Sequence, residues 1–176
     1  MALQTVYIAL GSNMGNRRGW LQQAVEGLQM VAKTLRASPV YECPAHTLRS
    51  DEVQPDYLNA VLELETVLSG EELLEVCLRL ERSAGRIKRR RYAPRTLDVD
   101  ILAMDATTCR NERLELPHPR LHLRRFVLQP WVDLAPEWYI PSPLRATVAA
   151  LLADCPDMNE PVKTAWSLLS DPIVNV

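Results

Sequence analysis

Pro94-Arg95-Thr96-Leu97-Asp98-Val99-Asp100-Ile101-Leu102 decides the reading of this 176-residue chain. Written as a strand, it sends Leu97, Val99 and Ile101 to one face and Thr96, Asp98 and Asp100 to the other, because successive side chains alternate. Two carboxylates two residues apart then lie roughly 7 Å from each other, twice the rise per residue. Like charges that close resist joint ionisation unless a cation lies beside them. A hard divalent ion such as Mg²⁺ supplies one, takes oxygen ligands and keeps positions for phosphate oxygens. Immediately upstream, residues 86–95 carry six cations (Arg86, Lys88, Arg89, Arg90, Arg91, Arg95) and no acid. An acidic seat beside a cationic loop suits a metal–polyphosphate substrate. Each half alone has a plainer reading: Asp-x-Asp as a solvated edge face, the basic run as a solvated or nucleic-acid-facing loop. Their adjacency favours the phosphate chemistry.

Outward from this stretch, the composition is that of an ordinary globular protein, 47% hydrophobic and 24% charged. The length suits one domain with a real core. The net charge of −2 argues against a dedicated nucleic-acid binder. Without the six cations of residues 86–95, 14 basic residues face 22 acidic ones. Positive charge is thus concentrated beside the carboxylate pair. The four cysteines, Cys43, Cys77, Cys109 and Cys155, form no Cys-x-x-Cys pair. That points away from structural zinc and toward reduced, mostly buried thiols in a cytoplasmic protein. Residues 1–10 lack a basic n-region and stop at Gly11, so they read as a strand rather than a signal peptide. No apolar run approaches 18 residues, so no membrane span is expected.

The pattern over the whole chain alternates strand and helix. Residues 5–10 read as a strand, and Gly11-Ser12-Asn13-Met14-Gly15-Asn16 as the turn after it. That turn could hold an anion through its amides, but it contains no Walker lysine, and a plain turn is the stronger reading. Residues 17–35 place Trp20, Leu21, Ala24, Val25, Leu28, Val31 and Leu35 on one helical face. Residues 37–43 read as a second strand, with Pro39 marking an edge or a start. Residues 44–55 read as a long loop. Residues 57–65 form a third strand, with Leu58, Ala60, Leu62 and Leu64 under helices and Tyr57, Asn59 and Val61 opposite. Ser69-Gly70-Glu71-Glu72 is a capping box that starts a second helix, and Gly85 ends it. With the carboxylate strand to about Met104, the order is β-α-β-β-α-β. The fold class expected is α+β: a ferredoxin-like antiparallel sheet with both helices on one face, followed by short C-terminal helices. Beyond it, residues 113–116 suggest a short strand and Leu116-Pro117-His118-Pro119 a rigid turn. Residues 124–128 suggest a helix ended near Pro130, residues 145–152 another, and the tail is expected to pack loosely or fray.

The motifs Tyr7–Asn13 (YIALGSN), Gln54–Val61 (QPDYLNAV), Gly85-Arg86, Pro94–Leu102 (PRTLDVDIL), Leu116–Pro119 (LPHP) and Arg124–Pro130 (RRFVLQP) occur in the order found in one family. By them the chain resembles the 6-hydroxymethyl-7,8-dihydropterin pyrophosphokinases of folate biosynthesis. PRTLDVDIL together with QPDYLNAV is the specific part. The resemblance implies a single pyrophosphokinase domain over 1–176, with the motifs in about 5–135 and a less certain extension from 136. It implies transfer of a pyrophosphoryl group from ATP to the pterin's hydroxymethyl oxygen, releasing AMP. It further implies that Asp98 and Asp100 hold two Mg²⁺ ions and that Arg86 and Arg95 act on the phosphates. Glu81, Lys88, Ile101, Arg113, His118 and Arg124 fall at ATP-contacting positions. Cys43, Pro44, Tyr57, Asn59 and Phe126 fall at pterin-lining positions, with the two aromatics as a sandwich. The partners implied are these two small substrates, without nucleic acid or membrane, acting on a monomer.

Some positions depart from part of the family: Cys43 stands where some members carry threonine, Tyr92 where some carry tryptophan, and Glu115 and Pro119 near the nucleotide. Taken singly, an aromatic such as Tyr57 or Phe126 is more often core, and a histidine between prolines more often a turn residue. Two other classes fit part of the pattern. A two-metal phosphodiesterase or nuclease would use the carboxylates and arginines but leave Tyr57, Asn59 and Phe126 without a role. A ferredoxin-like RNA-binding module would need several aromatics on an open sheet face.

Overall fold

The β-α-β-β-α-β order is present, with its second strand split in two, in the computed structural model, which describes residues 2–45, 53–85, 93–169 and 174–175. The basic run at 86–92, with Arg86, Lys88 and Tyr92, lies outside the described residues. The elements are β1 (Gln4–Ser12), α1 (Arg17–Gln29), β2 (Thr34–Ala37), β3 (Tyr41–Cys43), β4 (Tyr57–Thr66), α2 (Gly70–Ser83) and β5 (Asp98–Met104). β1 lies between β4 and β5, and β2 and β3 share the far edge of β4, all antiparallel. This is the ferredoxin-like α+β arrangement expected from the sequence.

One face of the sheet, here the lower, meets both long helices. Val6, Ile8 and Leu10, Leu58 to Leu64 at alternate positions, and Val99 and Ile101 pack on Leu21, Ala24, Val25 and Leu28 of α1 and Leu73, Val76 and Cys77 of α2. α1 is capped by Asn16, whose Oδ1 accepts the Gly19 N–H at 3.0 Å. α2 carries the full capping box between Ser69 and Glu72, and Gly85 takes φ +70° just beyond its end. The two helices meet at Gly27, where a Cβ would collide with Leu80.

The upper face is covered in its middle by α3 (Arg125–Leu134) and α4 (Val148–Ala153). Tyr7, Val61, Leu102 and Ala103 pack there on Val127, Leu128, Trp131 and Val148. A bulge in β5 makes this possible. Ile8 faces Ile101 and Tyr7 faces Ala103, so Leu102 is the extra residue and the alternation of faces shifts by one. Leu102 and Ala103 therefore both point up, while Asp98 and Asp100, before the bulge, keep the facing expected from the sequence.

Several boundaries differ from expectation. α1 stops at Gln29 rather than 35, because Thr34–Ala37 pairs with β4 and the Val31 carbonyl is taken by the Thr66 hydroxyl at 2.7 Å. Leu35 was a valid helical position, but strand pairing won. The single strand expected over 37–43 is split at Ser38, which bonds both backbone groups of Val61: its N–H donates to the carbonyl at 2.9 Å and its Oγ accepts the N–H at 2.9 Å. Pro39, lacking an N–H, follows at the break. α3 begins one residue late and runs through Pro130 to Leu134, at the loss of one helical hydrogen bond. The proline ring is buried beside Trp131, and that packing outweighs the missing bond.

Two short hairpins flank this layer: β6 (Cys109–Arg110) with β7 (Glu115–Leu116), and β8 (Tyr139–Ile140) with β9 (Ala146–Thr147). The first lies partly where a turn was expected. The second shortens the expected 145–152 helix, which starts only at Val148 behind the Thr147 cap. The described part of the tail is tied to the sheet and core where loose packing was expected. β10 (Val162–Lys163) extends the sheet beside β3, β11 (Val174–Asn175) pairs with β2, and Leu168 is buried in the lower core.

Candidate active site

Two rows of residues cross three strands at the open end of the upper face. Register places Asn59, Gly11 and Asp98 in one row and Val61, Ala9 and Asp100 in the next. The central strand thus contributes only a hydrogen and a methyl, flanked by an amide on one side and two carboxylates on the other. Gly11 is the tightest point. A Cβ there would lie 3.2 Å from Asn59 Oδ1, 3.6 Å from Tyr57 Cδ1 and 3.8 Å from Asp98 Cβ. A flat floor of this kind admits a planar ring close to the backbone.

The carboxylates are each met by an arginine. Arg95 Nη1 donates to both oxygens of Asp98, at 2.7 and 2.8 Å. Arg124 Nη1 reaches Asp100 Oδ2 at 3.4 Å. Burial works against the charge on Arg95, but the Asp98 carboxylate outweighs it and the pKa is raised. On Arg124 burial prevails over the pull of Asp100, and the pKa is lowered. The Arg124 guanidinium also sits 5.7 Å from the Phe126 ring centroid, over the N-terminal turn of α3. Asp98 and Asp100 are hard oxygen donors on one face, which fits a divalent ion such as Mg²⁺. Among the described residues no third His, Cys, Asp or Glu joins them in a metal-holding group. Phosphate oxygens and water would complete the coordination.

The amide side of the floor is equally fixed. Asn59 is 5% exposed, and its Nδ2 donates to Cys43 Sγ at 3.0 Å. That bond turns Oδ1 toward Gly11, where it can accept from a ring N–H or amino group. Burial, reinforced by Asp157 and Asp56, pushes the Cys43 thiol up to about 12, so it stays protonated near neutral pH. Pro44, next in the chain, is exposed. Tyr57 and Phe126 are both half-buried, on the β4 end and on α3 respectively.

The remaining expected nucleotide contacts are placed differently from one another. His118 is anchored by its N–H on the Leu102 carbonyl at 2.8 Å, and its Nδ1 accepts the Arg120 N–H at 3.1 Å. Burial holds its pKa below the usual range, with Asp100 pulling upward and Arg124 and Arg120 pushing down. Arg113 is exposed and ion-paired with Glu75 of α2. Ile101 is 5% exposed in the lower core, so only its backbone can face a ligand. Glu81 is 6% exposed beneath β5, and its Oε1 accepts the Val99 N–H at 2.9 Å.

Asn13 was missed as more than a turn residue. Its Oδ1 accepts the Arg95 N–H at 2.8 Å, and its own N–H donates to the Arg95 carbonyl at 3.1 Å. Its Nδ2 donates to the Pro55 carbonyl at 3.0 Å. It therefore ties the approach to the carboxylate strand to the approach to Tyr57. The signal was a buried-type position filled by asparagine directly after Gly-Ser at a strand end.

The family model described as 7,8-dihydro-6-hydroxymethylpterin-pyrophosphokinase matches residues 7–136. Among curated relatives named 2-amino-4-hydroxy-6-hydroxymethyldihydropteridine pyrophosphokinase, that of Methylorubrum extorquens is 39% identical over 140 residues, covering 76% of this chain and 84% of the relative. That of Pseudomonas aeruginosa is 36% identical over 160 residues, covering 88% and 93%. That of Bacillus subtilis is 41% identical over 130 residues, covering 73% and 76%. Among solved structures, wild-type Plasmodium falciparum HPPK-DHPS with SDX-DHP superposes with a TM-score of 0.64 at 13% identity, over 87% of this chain. This chain spans 44% of that longer one, and at such identity the likeness concerns the fold alone. Motif order, ferredoxin-like sheet and relatives matched over most of their length agree: the chain belongs to the 7,8-dihydro-6-hydroxymethylpterin-pyrophosphokinase family.

Proposed function

We propose that this protein transfers a pyrophosphoryl group from ATP to the hydroxymethyl oxygen of 6-hydroxymethyl-7,8-dihydropterin, releasing AMP, as a step of folate biosynthesis. The observation that carries the reading is the pair of rows at the open sheet end. Asp98 and Asp100 stand directly across Gly11 and Ala9 from Asn59 and Val61. A phosphate-handling group and a ring-reading group thus share one floor.

The pterin would lie over Gly11, between Tyr57 and Phe126, with Asn59 Oδ1 accepting from its ring donors. Asp98 and Asp100 would hold two Mg²⁺ ions, which when bound neutralise phosphate charge and favour attack at phosphorus. Arg95 and Arg124 would grip non-bridging oxygens, with Arg86 and Lys88 of the basic run adding to them. The Arg95–Asp98 pair is then the resting arrangement, which a metal–nucleotide complex replaces. Holding both substrates in line and excluding water does most of the work, since transfer of this kind needs little covalent help from the protein. His118, neutral and anchored at the edge of the site, would donate through Nε2 to the nucleotide. Arg113 and the Ile101 backbone complete the proposed nucleotide neighbourhood, with Glu81 behind it beneath β5. No helix among the described residues is long and apolar enough to cross a membrane. With Cys43, Cys77, Cys109 and Cys155 all free thiols, the proposed setting is the cytoplasm, with the chain acting as a monomer.

The test is AMP release from ATP and the reduced pterin, with Mg²⁺ and with a chelator. Activity is expected only with the metal, and Asp98→Ala and Asp100→Ala should each abolish it in a folded protein. Full activity in both variants would refute the reading.

A further inference from the structure

We propose that Glu81 is a positioning residue for the carboxylate pair, acting through the backbone of β5 rather than by touching the nucleotide. This rests on the reading of Asp98 and Asp100 as metal ligands given above. β5 is the outer strand on its side of the sheet, paired only with β1 among the described residues. In an antiparallel ladder, residues alternate between facing the partner strand and facing the free edge with their backbone groups. Asp98 and Asp100 sit opposite Gly11 and Ala9, and Val99 lies between them. The Val99 N–H is directed away from β1, because Glu81 Oε1 accepts it at 2.9 Å. The strand that carries both carboxylates is therefore gripped from both sides: by β1, and at the midpoint between the acids by a side chain from α2.

Glu81 is 6% exposed on a helix face that otherwise buries Leu73, Val76 and Cys77. A buried carboxylate is retained where it satisfies a specific donor, and a charged acceptor makes the stronger bond. An unpaired N–H on an outer strand would instead take water and let the strand twist or shift. Two ligands held about two residues apart on a strand keep their separation only while that strand keeps its pleat. Holding Val99 fixes the angle between the two carboxylates that would hold the ions.

The experiment compares Glu81→Gln, whose side-chain oxygen can still accept the Val99 N–H, with Glu81→Leu, which cannot; Glu81→Met replaces the latter if it fails to fold. Amide exchange of Val99 is followed by NMR in protein without ligands. It should be slow in the parent and in Glu81→Gln, and at least about tenfold faster in Glu81→Leu. The free Mg²⁺ giving half-maximal AMP release should rise several-fold in Glu81→Leu and be restored in Glu81→Gln, with pterin affinity unchanged in all three. Equal Val99 protection in Glu81→Leu would overturn the proposal. So would a Glu81→Gln variant as impaired as Glu81→Leu, since the negative charge or a direct nucleotide contact would then be what matters. A parent protein that releases no AMP would sink the proposed function, while the exchange measurement would still decide whether Glu81 holds the strand.

Discussion

Replacing Gly11 by alanine puts one methyl group into the floor of the site. No strained backbone torsion stands in the way, because Gly11 lies in regular β1 pairing on both sides. Outside the site, alanine in a strand is the better residue, by roughly 0.5 kcal/mol or more. Within it, the new Cβ would lie 3.2 Å from Asn59 Oδ1, so the amide must move by a few tenths of an ångström. That strains the Asn59–Cys43 bond, worth about 1 kcal/mol. The methyl also stands where a ring would rest, and overpacking of this size costs about 1–3 kcal/mol. At 1.4 kcal/mol per factor of ten, pterin affinity should fall roughly 5- to 150-fold. Stability should be unchanged or slightly higher, and ATP affinity without pterin should hold. Calorimetric titration with each substrate, beside a thermal melt, reads all three. Unaltered pterin binding in a folded Gly11→Ala protein would refute the placement of the ring over this floor.

Three further outcomes are expected. Arg95→Ala should lower turnover on the order of a hundredfold while leaving pterin affinity nearly intact, because the role proposed for its guanidinium is on the phosphates; single-turnover kinetics and a binding titration separate the two. Asn13→Ala should destabilise the fold by roughly 2 kcal/mol or more in urea unfolding, since it strands the Arg95 N–H and the Pro55 carbonyl together. The Cys43 and Cys77 thiols, both pushed up to about 12 chiefly by burial, should make stability fall with alkali. An unfolded thiol ionises near pH 8.5, so the stabilisation is complete below that and is lost as pH rises toward about 12. Urea midpoints at pH 7.5 and 10 should diverge in the parent, and a Cys43→Thr, Cys77→Ala protein should narrow the gap.

The parts of the fold legible in the sequence were those written in a strong period. Leu58, Ala60, Leu62 and Leu64 alternate without a break, and Leu73, Cys77 and Glu81 repeat at helical spacing behind a capping box; all lie where expected. The end of α1 was illegible because Val31 and Leu35 satisfy a helix and a strand equally, and only pairing with Glu65 and Leu64 decides between them. Pro130 read as a stop because the sequence does not show the buried seat its ring occupies. The short hairpins and the returning tail depend on distant partners, which no local pattern encodes. In the site, the facing of Asp98 and Asp100 follows from alternation alone. The reach of Asn13 to residues 55 and 95, and of Glu81 to Val99, is tertiary and had no local signature.

The extra residue at Leu102 works as a phase shifter within a single strand. Ahead of it, side chains are timed for chemistry; behind it, they are timed for packing against α3. The two halves can therefore be edited independently. Deleting Leu102 should restore uniform alternation, with Ala103 and Met104 still opposite Tyr7 and Val6 and both acids keeping their facing, at the cost of the Leu102 side chain in the upper layer. A strand of uniform pleat would offer no such partition, since the facing of the two acids would dictate that of every later residue.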